Sequence, residues 1–153
     1  MSSISYAIGV YKERKDIFEL IDLLKQNIDL EQDEICITID NSKEDNRDLV
    51  EDLQKVSDIK LSYFKFAHNF SDLKNFKISQ CSKDYIFDLD ADERLTLELL
   101  KNIRQLTALN IDLFYIPRIN TVIGLEEEHK KLFNYYPDAN GYINFPDYQG
   151  RFF

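Results

Sequence analysis

The chain has 153 residues, 44% apolar and 31% charged, with only 4 Gly and 3 Pro, so one folded core is expected rather than a low-complexity segment. Its formal net charge is −9, from 28 acidic and 19 basic residues, which disfavours a nucleic-acid backbone or an anionic membrane as partner. No apolar run approaches the roughly 18 residues of a membrane span and no basic-then-apolar leader opens the chain, so the expectation is a cytoplasmic protein with no integral membrane segment.

Strand-like apolar runs alternate with helical periodicity, the order that gives an α/β fold with a mostly parallel central sheet flanked by helices. ISYAIGV (4–10) reads as the first strand. Asp16 is placed to cap a helix carrying Ile17, Leu20, Ile21, Leu24 and Ile28 on one face, and EICITID (34–40) is the second strand. A polar turn, 41–46, leads to a helix marked by Leu49, Val50, Leu53 and Val56, then to the strand KLSYFKF (60–66). Ser71 is the expected cap of a third helix through Cys81, with Phe70 as a hydrophobic staple. DYIFDLD (84–90) is a fourth strand, Thr96 opens an amphipathic helix with Leu99, Leu100, Ile103 and Leu106, and DLFYIPRIN (112–120) is another strand.

Beyond Thr121 the pattern weakens to an acidic helical patch around EEEHKK and a last extended piece ending at Phe153. With no repeat and no linker, the chain reads as a single domain, 1–153, with a nucleotide-binding half at 1–95 and a reduced acceptor-side half at 96–153. Cys36 and Cys81 sit among apolar neighbours without a Cys or His at zinc-site spacing, so both are read as buried, reduced thiols.

The informative segment is KDYIFDLDADERL, an apolar strand that runs straight into Asp88, Asp90, Asp92 and Glu93. Residues two apart in an extended chain face the same side, so Asp90 and Asp92 can point together into the crevice beyond the carboxyl end of the sheet. Carboxylate oxygens there suit Mg²⁺ or Mn²⁺, which keep positions open for substrate phosphates. A plainer account is that the acids complement the dipole of the next helix. A calcium loop matches Asp88, Asp90 and Asp92 but fails at Glu93, where Gly is needed, and at Leu99, where Glu is needed.

HNFSDLKNFKISQCSKDYIFDLDADERL resembles the core of family 2 glycosyltransferases, whose usual form is near Asn-Phe-Ser, a basic residue, Asn, then a strand ending Asp-Ala-Asp-Glu. IPRINTVIG is similar to a Pro-Arg-x-Asn-x-x-x-Gly segment of lipopolysaccharide-core members, and FPDYQGRFF to their Tyr-Pro-Asp-x-Gln-x-Arg-Leu-Phe. The likeness covers 4–153 and is strongest over 68–95. It implies a GT-A (Rossmann-like) nucleotide-diphospho-sugar transferase fold that holds a nucleotide sugar, most often a UDP-sugar such as UDP-glucose, through a divalent cation.

On that resemblance Asp92 is the direct metal ligand and Asp90 lies near the ribose or metal. The turn Tyr11 to Arg14, Glu13 included, contacts the uridine, with Tyr11 stacking on the base, and Asp40 hydrogen-bonds the base or ribose. Lys74 stands where the family usually has Arg, which keeps the charge and loses the planar fork. Arg118 and Arg151 resemble motif arginines, and His129 aligns loosely with a histidine near the metal or leaving group; His68 reads as structural.

The reaction the likeness implies is sugar transfer with inversion to an acceptor, or donor hydrolysis when the chain acts alone. Spacing does not select the base among Glu126, Glu127, Glu128, Asp138 and Asp147. Two alternatives stand beside a transferase: a sugar-nucleotide-binding module that needs a partner, and a metal-dependent nucleotidyltransferase. The Lys, Asn, Ile and Asp content and the early stop after the Arg-Phe segment suit a minimal version encoded by a phage or virus, working in its host's cytoplasm.

Overall fold

The structure is a computed structural model that describes residues 2–43 and 45–153. Packing divides the chain into two compact units, one running to Asp112 and including Phe153, the other Leu113–Phe152. The helix after Thr96 lies within the first of these units.

Four parallel strands form the first unit: β1 (Ile4–Val10), β2 (Glu34–Asp40), β3 (Lys60–Phe64) and β4 (Tyr85–Asp90). Their pairings give the order β3-β2-β1-β4, so the chain builds outward through β2 and β3 and then returns to the other side of β1. In such a sheet a ligand crevice opens beyond the carboxyl ends, where the order reverses between β1 and β4. β1 and β2 are buried on both faces, which is why they read as nearly continuous apolar runs. At the far edge the backbone of Phe153 exchanges hydrogen bonds with Ile86, 2.6 and 3.1 Å.

Helices cover the sheet. Helix α1 (Arg14–Asn27) buries Ile17, Leu20, Ile21 and Leu24 to 1% exposure or less, and each such side chain contributes about 1.5–3 kcal/mol. Helix α4 (Leu97–Leu106) packs on α1 and buries Leu100 and Ile103, with Thr96 Oγ1 accepting the Leu99 N–H at 3.1 Å as the expected cap. Helix α2 spans Arg47–Leu53 and α3 spans Phe70–Ser79.

Two expected caps are displaced. Asp16 lies in the first turn of α1 and pairs with Arg94 at 2.7 Å, while Glu13 holds the cap position. Asn69, not Ser71, caps α3: its Oδ1 accepts the Ser71 N–H at 3.0 Å. Phe70 is therefore the first helical residue and is 77% exposed, which excludes the staple. Neither cysteine is in a disulfide; Cys36 is buried as expected, whereas Cys81, just past the end of α3, is only partly so.

In the second unit β5 (Phe114–Asn120) and β6 (Ile143–Phe152) pair antiparallel, and α5 (Glu127–Phe133) includes the last part of the acidic patch. Among the described residues no helix is long and apolar enough to cross a membrane.

A buried acid fixes the amino end of the sheet. Glu34 is 7% exposed and accepts from Ser5 Oγ (2.6 Å), the Ser82 N–H (2.6 Å), Ser82 Oγ (2.9 Å) and the Lys60 ammonium. Burial pushes its carboxyl up, and the bonds from Lys60, Ser5 and Ser82 together outweigh that, leaving it at about 2 instead of 4.5. A depressed folded-state pKa stabilises the fold above the unfolded value and loses that stabilisation as pH falls through the folded one. Acid unfolding of the wild type should therefore steepen between about pH 4.5 and 2, and Glu34→Gln, followed by circular dichroism, should flatten that limb while lowering stability at neutral pH.

Candidate functional site

The turns that leave β1, β2, β3 and β4 surround an open cavity of about 680 Å³ in the first unit. It is lined by Gly9, Val10, Tyr11, Glu13, Thr38, Asp40, Ser42, Lys43, Lys65, Phe66, His68, Phe70, Leu73, Lys77, Asp90, Ala91 and Asp92. Tyr11, Glu13, Asp40, Asp90 and Asp92, all singled out from the sequence, share this cavity.

Each turn is held by side chains bonding to backbone. Glu13 does not cap α1 forward; its Oε2 reaches back to accept the N–H groups of Tyr11 (2.9 Å) and Lys12 (3.0 Å), which closes the turn after β1. Asp40 Oδ1 accepts the Ser42 N–H at 2.8 Å and the Phe66 N–H at 3.3 Å, tying the exit of β2 to that of β3. Tyr11 donates its hydroxyl to Asp45 at 2.9 Å, with the Lys12 ammonium 4.9 Å from its ring centroid. Phe66 stacks near Phe70, centroids 4.8 Å apart, and also meets His68 at 6.0 Å, so an aromatic strip runs along the wall opened by β3. His68, read as structural, thus lies on the cavity; its φ of 63° marks a tight turn there.

Beyond β4, Asp90 and Asp92 are both exposed, and Glu93 closes the turn by accepting the Asp90 N–H and donating its own N–H to the Asp90 carbonyl, 3.0 Å each. Asp88 does not join them as an open acid. It is 1% exposed, with Oδ1 2.5 Å from the Lys77 ammonium and Oδ2 3.0 Å from that of Lys74. Burial raises its pKa, but the two lysines more than reverse this and hold the carboxyl below its ordinary value. Arg14 and Lys74, expected at the nucleotide, face other work: Arg14 binds the Asp48 carbonyl at 3.3 Å and pairs with Asp52 on α2, and Lys74 pairs with Asp88. Neither lines the cavity.

The second unit gathers the other motif residues. Asp147, opposite Arg118 in the β5–β6 register, accepts from Arg118 Nε (2.9 Å) and Nη2 (2.7 Å), Asn120 Nδ2 (3.0 Å) and Gln149 Nε2 (2.7 Å). The bonds from Asn120, Arg118 and Gln149 depress its pKa to about 2. A carboxylate that far below neutrality is a weak proton acceptor. Glu127 is exposed and pairs with Lys130 at 2.5 Å, and His129 Nδ1 accepts the Glu126 N–H at 3.4 Å at the start of α5. Arg151 lies half-buried on β6.

Lys77 and Asn46 are among the residues that escaped the sequence reading. Lys77 is buried and lines the cavity; its i,i+3 spacing from Lys74, opposite an Asp in an apolar strand, is the signal that could have found it. Asn46 is 6% exposed and donates Nδ2 to the carbonyls of Tyr11 (3.1 Å) and Asp40 (2.8 Å), stitching two walls together instead of capping α2. Asn46→Ala should lower stability by about 1–3 kcal/mol in urea unfolding, the cost of leaving buried acceptors unpaired, and Asn46→Asp should lower it further by setting a carboxylate against two carbonyls.

Among the described residues no three His, Cys, Asp or Glu side chains gather as a metal cluster. The pair Asp90 and Asp92 still fits Mg²⁺ or Mn²⁺, which are usually held by one or two carboxylates together with substrate phosphates.

A search of curated proteins finds no significant match. Among solved structures, Staphylococcus aureus TarS 1-349 aligns with a TM-score of 0.60 at 19% identity, covering 82% of this chain and 38% of that one. The same TarS segment in complex with UDP aligns at 0.61 and 20% identity, covering 81% and 37%. The mannosyltransferase PcManGT from Pyrobaculum calidifontis, in complex with GDP-Man and Mn²⁺, aligns at 0.54 and 16%, covering 67% and 31%. The chain thus spans under two-fifths of the length of these relatives, and at such identities the likeness is one of fold. The sequence profile of Glycosyl transferase family 2 matches residues 5–152, nearly the whole chain, and the α/β architecture is that family's GT-A-like arrangement. The chain belongs to glycosyl transferase family 2.

Proposed function

We propose that the cavity binds a nucleoside diphosphate sugar, most simply a UDP-sugar such as UDP-glucose, and that the protein transfers the sugar with inversion to an acceptor hydroxyl. One observation carries this reading: Tyr11, Asp40, Asp90 and Asp92 come from three separate strand exits and line one cavity beside the β1/β4 reversal. Tyr11, and the Phe66 and Phe70 rings opposite, offer faces for a planar base, and Asp40, held through Oδ1, is a fixed acceptor for a base or ribose donor.

Asp92, with Asp90, would hold a divalent cation, which when bound supplies positive charge to the diphosphate leaving group. Without such charge each carboxylate–phosphate pair at 4 Å would cost on the order of 1–4 kcal/mol. The protein's own residues fix the geometry. Glu93 and Glu13 lock the turns that carry Asp90 and Tyr11, so the donor meets walls that need little rearrangement. In transfer, the acceptor oxygen bonds to the anomeric carbon as the carbon–oxygen bond to the diphosphate breaks, and the hydroxyl proton passes to a carboxylate base.

A second reading, a sugar-nucleotide-binding module that acts with a partner, draws on one observation: the candidate bases Glu127 and Asp147 are both engaged in ion pairs. The test is a panel of nucleotide sugars with Mn²⁺, reading released nucleoside diphosphate. Release from one UDP-sugar that falls at least about 100-fold in Asp92→Ala and vanishes in EDTA is the expected result. Saturable UDP binding without turnover would favour the module, and UDP affinity undiminished by EDTA would refute the metal.

A further inference from the structure

One cation is built into the cavity itself. Of its lining lysines, Lys43 and Lys65 are exposed, whereas the Lys77 side chain is 6% exposed. Its ammonium donates to the Leu89 carbonyl at 3.1 Å and forms an ion pair with Asp88 Oδ1 at 2.5 Å. Nζ lies over β1, 3.7 Å from where a Cβ on Gly9 would stand, and Gly9 is the register partner of Asp90. The ammonium therefore sits at the strand-order reversal, beneath the exposed Asp90 and Asp92.

Depth decides what it would meet. The exposed carboxylates hold the mouth, where a diphosphate and its cation belong; the floor receives the part of the ligand that enters furthest. We propose that Lys77 is a donor-binding residue whose ammonium hydrogen-bonds an oxygen of the nucleoside, a base carbonyl or a ribose hydroxyl, on the cavity floor. This rests on the nucleotide-binding reading above. Asp88 and Lys74 then serve as its mount: with Asp88 shared between two lysines, the cluster keeps one net positive charge.

The competing account is that Lys77 only neutralises Asp88. Lys77→Met alone cannot separate the two, because it strands a buried carboxylate. The double variant Lys77→Met/Asp88→Leu removes both charges together, a change that can be nearly neutral for folding. Calorimetric titrations of UDP, uridine and inorganic pyrophosphate with Mn²⁺ would compare it with the wild type, after thermal melting shows that it is folded. The expected result is UDP and uridine at least about tenfold weaker, with pyrophosphate changed by less than about twofold. Unchanged UDP and uridine affinities in the folded double variant would overturn the contact while leaving the proposed function standing. Wild-type protein that takes up neither UDP nor uridine would overturn both. Should the double variant not fold, Lys77→Arg keeps the charge opposite Asp88 and moves the donors: a change in uridine affinity of about threefold or more supports the contact, and no change overturns it.

Discussion

Placing a carboxylate inside an apolar strand of a parallel sheet costs several kcal/mol unless it is well paired, and Asp88 imposes that cost on β4. Two ammonium groups one helical turn apart on α3 meet its two oxygens. That triad sets the rotation of α3 against the sheet. It brings Leu73 and Lys77 to the cavity, and with Asn69 as cap it leaves Phe70 at the rim. The floor of the cavity is therefore defined by an electrostatic demand of the strand beneath it. The same demand explains why a lysine is buried next to Gly9.

The walls follow a different rule. The carboxyl end of a parallel sheet exposes strand exits whose backbone groups have lost their ladder partners, and each must be satisfied locally. Here short acidic and amide side chains do so: Glu13 after β1, Asp40 and Asn46 after β2, Glu93 after β4. Side chains that brace a turn are the same kinds that bind nucleotides, so the cavity combines rigid support and open acids without added elements. In the second unit the residues of the PRIN and PDYQ segments converge on Asp147 instead, and their chemistry is spent on one another.

What the sequence determined by itself was the ladder of elements. β1 and β2 carry the bounds read from their apolar runs, because burial on both faces forces a continuous pattern, and Thr96 caps α4 because nothing else in that turn competes. Asp90 and Asp92 line one cavity, but strand alternation is not the reason: β4 ends at Asp90 and Asp92 lies in the turn that Glu93 closes. Tertiary structure decided what local pattern leaves degenerate. Asn69 and Ser71 are both good caps, and only the backbone path selects between them. Asp88 looks like its neighbours Asp90 and Asp92 in sequence but faces two lysines that lie 11 and 14 residues earlier, so its partners appear only when α3 packs on the sheet. Lys74 and Lys77 have equal claims to the nucleotide on a helical wheel. Which of them reaches the cavity depends on a distance of one helical turn along the strand, and no propensity encodes that.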